Sequence, residues 1–172
     1  GKKVRMFRAP GFSITETNKW AFEVLYKLGI EIDSSVFPAQ RSHGGFAKYG
    51  TAEPSILKYN GTQLKEFPIN AHSVLTKPII FSGGGYFRLF PYNVIKSFTE
   101  KSSYVMSYFH PRDFDPNQPM INDLSLQRKF KSYVGLNTSQ KKLITWLHDF
   151  DFTDISDAND SIDWHKVKQI EL

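Results

Sequence analysis

The chain has 172 residues, 40% hydrophobic and 15% aromatic, which suits one domain with a sizeable core and excludes a disordered chain. Its net charge of +5 is scattered over short clusters such as Lys2-Lys3, Arg128-Lys129-Lys131 and Lys141-Lys142, so no nucleic-acid partner is expected. The absence of cysteine excludes a disulfide framework, a cysteine nucleophile and a cysteine-bound zinc, and no apolar run approaches the roughly 18 residues of a membrane span.

Residues 4–9 read as a strand that carries Arg8 to its end, where Pro10 and Gly11 turn the chain. Ser13-Ile14-Thr15-Glu16 has the pattern of a capping box. The helix predicted after it places Ala21, Val24, Leu25 and Leu28 on one face and stops at Gly29. Residues 30–36 form a second predicted strand, with Asp33-Ser34-Ser35 near its end. Strand, helix and strand joined by short turns make a βαβ unit, which implies parallel pairing.

Residues 38–55, rich in Gly, Ser and Lys around Arg41-Ser42-His43-Gly44-Gly45, read as a long surface loop, and His43 and His72 as loop residues. A short strand is predicted over 64–69. After Ser82-Gly83-Gly84-Gly85-Tyr86-Phe87-Arg88-Leu89, Pro91 opens a helix with Val94, Ile95 and Phe98 on one face. Residues 104–109 read as an apolar strand ending in His110-Pro111-Arg112-Asp113. A helix over 139–149 aligns Leu143, Trp146, Leu147 and Phe150, and residues 153–172 form a polar, helical appendage. The class is α/β, and four strands are too few to close a barrel.

An arginine at the mouth of a strand, as Arg8 is, suits a catalytic or anion-holding role, with a structural ion pair as the alternative. His110 directly follows an apolar strand, although a lone histidine there is most often structural. The three glycines allow a close approach to a ligand or to another strand, without the spacing or the Lys-Ser/Thr of a phosphate loop. Tyr86 suits stacking on a sugar and Arg88 an acidic group, and packing explains both equally well. Asp33 stands where turn residues are common. Asp157-Ala158-Asn159-Asp160-Ser161 begins like a calcium loop, but the next residue is Ile162 and no Glu closes it. No Gly-x-Ser-x-Gly elbow offers a serine esterase.

Four stretches in order, Phe7-Arg8-Ala9-Pro10-Gly11-Phe12-Ser13, Asp33-Ser34-Ser35-Val36-Phe37-Pro38, Gly83-Gly84-Gly85-Tyr86-Phe87-Arg88-Leu89 and Tyr108-Phe109-His110-Pro111, resemble motifs of the polysaccharide deacetylases. These are metal-dependent carbohydrate esterases that remove N-acetyl groups from sugars, and the second and third stretches are similar to a branch associated with bacterial exopolysaccharide synthesis. The tryptophan that neighbours the acidic residue in many deacetylases is absent after Asp33.

The resemblance implies that residues 1–152 are the C-terminal part of a distorted (β/α) barrel, a partial barrel followed by the appendage 153–172. It assigns His110 as the general acid that protonates the leaving amine, a task suited to imidazole. It assigns Arg8 to orienting the base aspartate, as a planar guanidinium clamps a carboxylate, and Asp33 to holding the histidine. Tyr86 and Arg88 become substrate-binding candidates.

In that family the metal ligands and the base precede the arginine motif. The resemblance therefore implies a C-terminal fragment that is inactive alone and holds no cofactor. The complete enzyme would use a divalent metal, zinc as a rule, on an N-acetylated polysaccharide or oligosaccharide in the cytoplasm or cell envelope of a bacterium. The expected partners are the missing N-terminal half or a second copy covering open sheet edges. The alternative is a non-catalytic carbohydrate-binding or interaction domain of the same fold.

Overall fold

The strand–helix–strand unit predicted at the start of the chain is present. In the computed structural model, which describes residues 1, 3–41, 44–74 and 77–172, strand β1 (Met6–Phe7) leads through helix α1 (Trp20–Lys27) to strand β2 (Ile32–Asp33). A hairpin of β3 (Ser55–Tyr59) and β4 (Thr62–Glu66) follows. Then come β5 (His72–Val74), β6 (Lys77–Ile79), α2 (Gly84–Leu89) and α3 (Tyr92–Glu100). Helices α4 (Leu126–Tyr133), α5 (Leu136–Asp149) and α6 (Ile155–Ser161) precede the last strand, β7 (Lys168–Glu171). The chain divides into two compact units, residues 1–71 with 161–172, and residues 72–160. Ser42 and His43, part of the predicted loop, lie outside the described residues.

The first unit is a mixed α/β layer built on a five-stranded, mostly parallel sheet of order β1-β2-β4-β3-β7. β1 pairs with β2 and β2 with β4 in parallel, so Phe7, Asp33 and Glu66 stand in one row across the three strands. β3 and β4 are antiparallel, and their turn residues Asn60 and Gly61 both have positive φ (47° and 74°), as a tight hairpin turn of the primed type requires. β7 then pairs in parallel with β3. Phe22 and Leu25 of α1 pack on the sheet with Val36, Phe46, Tyr49, Leu57, Leu64 and Ile170.

Three local expectations are corrected here. Helix α1 buries Phe22 and Leu25 while Val24 and Leu28 are exposed. Apolar residues occupy nearly every position of this helix, so periodicity alone could not select the face. Residues 13–16 do not cap it: the helix starts at Trp20, and its cap residue Lys19 makes no capping hydrogen bond through its side chain. Instead Asn18 accepts from the Thr15 amide at 2.6 Å and donates to the Ser13 carbonyl at 3.0 Å, closing a turn of its own. The predicted surface loop carries core residues, for Ala39, Phe46 and Tyr49 are buried. Gly44 permits this fold-back, since a Cβ there would lie 2.4 Å from the Phe12 carbonyl oxygen.

The second unit has its own core of Phe81, Phe87, Ile95 and Trp146, with Phe90, Phe98 and Phe109 packed against it. The Trp146 indole donates to Thr99 Oγ1 at 2.9 Å, which satisfies the polar edge of a buried ring. His72, expected in a loop, lies in β5, with its ring stacked on Phe98 at 4.4 Å. Residues 104–109 are not a strand. Tyr108 makes one isolated parallel bridge to Gly83, and an apolar run without a partner strand gains no ladder.

Residues 153–172 do more than append. They supply α6 and then β7, whose Ile170 is buried in the first unit's core. Among the described residues no helix is long and apolar enough to cross a membrane.

Candidate functional site

At the carboxyl ends of β1, β2 and β4 the sheet presents Arg8, Asp33 and Glu66 in adjoining positions. The carboxyl ends of parallel strands are where α/β proteins place their chemistry. Arg8 is half-buried, and its guanidinium meets Ser34: Nη2 donates to Ser34 Oγ at 2.7 Å and Nε to the Ser34 carbonyl at 3.1 Å. The ring of Phe12 lies 5.7 Å beneath it. Ser34 Oγ in turn donates to the Phe67 carbonyl at 2.6 Å.

The next residue locks the same segment from the other side. Ser35 Oγ accepts from the Ala9 amide at 2.8 Å and donates to Asp33 Oδ1 at 2.7 Å, and the Ser35 amide donates to Asp33 Oδ2 at 3.0 Å. Asp33 therefore braces the turn that receives Arg8. Glu66, its neighbour across the strands, accepts from the Val36 amide at 3.0 Å. Both carboxyl groups are wholly buried. Burial pushes Asp33 up from the usual carboxylate range, and burial together with the nearby Asp33 charge pushes Glu66 well up. Tyr49, whose hydroxyl shares a 2.8 Å hydrogen bond with Ser55 Oγ, is raised by burial first and then by Glu66.

Glu66, Tyr49 and Ser35 were not singled out by the sequence. A signal for Glu66 existed. In a strand of period two it falls on the same face as buried Leu64, where a carboxylate needs a partner.

The second unit holds the other three candidates. His110 is exposed and precedes a short 3-10 turn, Pro111–Phe114. Its amide donates to Asp113 Oδ2 at 2.9 Å, and the Tyr108 ring stands edge-on 6.5 Å away. Tyr86 is half-exposed and stacked on Phe90 at 5.7 Å, a flat aromatic pair open to solvent on one side.

Arg88 faces inward and is only 6% exposed. Its Nε lies 3.1 Å from Asp113 Oδ1 in a buried ion pair. Nη1 donates to the carbonyls of Ser132 and Val134 and Nη2 to that of Lys131, so Arg88 closes the C-terminal end of α4. Lys142 does the same for α2, donating to the carbonyls of Phe87, Arg88 and Phe90 at 2.6–2.9 Å. The glycine run serves close packing: a Cβ on Gly83 would stand 2.0 Å from the Tyr108 carbonyl oxygen. Arg8 and Asp33 thus belong to one network, and His110 and Arg88 to another through Asp113.

Among the described residues no group of three or more His, Cys, Asp or Glu side chains is placed to hold a metal ion. A family model described as a domain of unknown function (DUF3473) matches residues 34–160. No curated protein and no solved structure matches the chain.

Proposed function

The chain belongs to the DUF3473 family, a domain of unknown function, and from its four deacetylase-like stretches we propose that it is the C-terminal part of a metal-dependent deacetylase of N-acetylated polysaccharides. The observation that carries this reading is the seating of Arg8 at the carboxyl end of β1 on Ser34 at the end of β2, which joins two of the four deacetylase-like motifs at the end of a parallel sheet.

In this reading the sheet is a portion of a (β/α) barrel, and Arg8 presents a guanidinium, fixed by Ser34, to the base carboxylate. His110 protonates the amine as the acetamide bond breaks. An exposed imidazole on a turn braced by Asp113 suits this task. The half-exposed Tyr86 ring suits a sugar face. When bound, the metal of such an enzyme activates water and stabilises the oxyanion. The described residues do not form a ligand set for it, so in this proposal the ligands and the base come from outside these 172 residues.

Acetate release from chitin oligomers tests the reading. The 172-residue chain is expected to give none, with or without zinc. In a longer protein that carries the upstream ligands, His110→Ala should lower kcat by roughly 10²–10⁴-fold with KM little changed. Robust turnover by the 172-residue chain, or full turnover of the His110→Ala protein, overturns it.

A further inference from the structure

Asp33 and Glu66 are register partners on adjacent parallel strands, and neither side chain reaches solvent. Two buried carboxylates side by side cannot both stay ionised without a cation between them. The cation that faces the pair is Arg8, whose charge favours an ionised Glu66 but is outweighed by burial and by the Asp33 charge. Arg8 directs Nε and Nη2 to Ser34, Tyr49 bonds Ser55, and the two carboxyl groups accept from Ser35 and from the Val36 amide.

The donors are also distributed unequally. Both Asp33 oxygens receive hydrogen bonds from Ser35, through its amide and its hydroxyl. Of the Glu66 oxygens, Oε1 receives the Val36 amide, while Oε2 is buried with no donor. An ionised Glu66 would leave that oxygen orphaned at full desolvation cost. A proton on it removes the deficit and turns it into a donor for Asp33.

We infer that Glu66 is kept protonated at neutral pH and hydrogen-bonds to ionised Asp33, which makes Glu66 a positioning residue for the Asp33–Val36 segment on which Arg8 sits. The chain of contacts is continuous. Glu66 fixes Val36 and Asp33, Asp33 fixes Ser35, Ser35 holds the Ala9 amide, and Ser34 holds Arg8. Burial and the Asp33 charge push Glu66 well up, which agrees with this. In its last step, the seating of Arg8, the inference deepens the function proposed above. The location of the proton stands apart from that function.

The test uses the full 172-residue chain with glutamate side-chain carboxyls labelled with carbon-13, followed by NMR. One glutamate resonance should stay at the protonated position as pH rises through the ordinary carboxylate range, and Glu66→Gln should remove it. Glutamine keeps an acceptor for the Val36 amide and a donor for Asp33. Glu66→Gln should therefore retain the distinct Arg8 Nε–H resonance, and Glu66→Leu should lose it.

The sign of the pH dependence follows from a raised carboxyl. The native state holds a proton that the unfolded chain releases above its own carboxyl pKa, so this contribution is complete in acid and is lost as pH rises toward the folded value. Stability of Glu66→Gln should show a flatter decline over that window. A Glu66 resonance that titrates in the ordinary range, or a Glu66→Gln chain as disordered at Arg8 as Glu66→Leu, overturns the inference. None of these readouts needs enzymatic activity, so they fail independently of the deacetylase reading.

Discussion

Asp113→Ala is expected to destabilise the unit of residues 72–160 by about 3–5 kcal/mol, the range for removing one partner of a buried ion pair. Arg88 and Asp113 are each 6% exposed as side chains, so the substitution leaves a guanidinium buried and uncompensated. The three carbonyls that Arg88 caps at residues 131, 132 and 134 hold it in place, which prevents it from swinging out to water. The same change frees the His110 amide from its acceptor. Urea denaturation of the variant chain measures the loss. The double change Arg88→Met with Asp113→Leu should cost less than the sum of the two single changes, because no lone charge remains. A loss of under about 1 kcal/mol for Asp113→Ala, the level of a surface pair, would show that the pair contributes little.

Gly135→Ala should be nearly as damaging, at about 3 kcal/mol or more, from two causes acting together. Its φ of 70° is a conformation that side chains resist, and an added Cβ would lie 2.1 Å from the Arg88 carbonyl oxygen. That carbonyl also accepts from Lys142 at 2.6 Å, so moving it away disturbs the cap of α2. Gly61→Ala separates the two causes. Its φ is 74° but a Cβ would meet nothing within 4 Å, and strain alone should cost about 1 kcal/mol. Equal melting temperatures for the two variants would contradict the assigned clash.

How far the sequence could be read depended on how local each signal was. The βαβ unit, the stop at Gly29 and the helix around Trp146 are set by neighbours within a few residues, and each stands close to its predicted place. β3 carries no strong alternation, and its partners are a hairpin strand and a segment near the chain end. The polarity of residues 161–172 hid the one buried side chain, Ile170, that makes β7 part of the sheet.

The same contrast applies to the candidate site. Arg8 was visible from its place after a strand, and Asp33 from its place at the end of the next. Glu66 acquires its meaning only from register, since nothing in residues 62–67 announces that Asp33 lies beside it. Arg88 was visible as a charge after a glycine run. Its task is defined by Asp113 and by carbonyls more than forty positions away, and no local pattern reports these.

Because β7 pairs with β3 across the whole of residues 72–160, the first unit is completed only after the second has been made. On a ribosome, β1 to β4 emerge early and wait with one flank of β3 open while the second unit is synthesised. Pairing so distant in sequence is slow to form, and an open strand flank is a site for association with other chains. Deleting residues 168–172 would make that temporary exposure permanent, so β7 serves to end the first unit's vulnerable period.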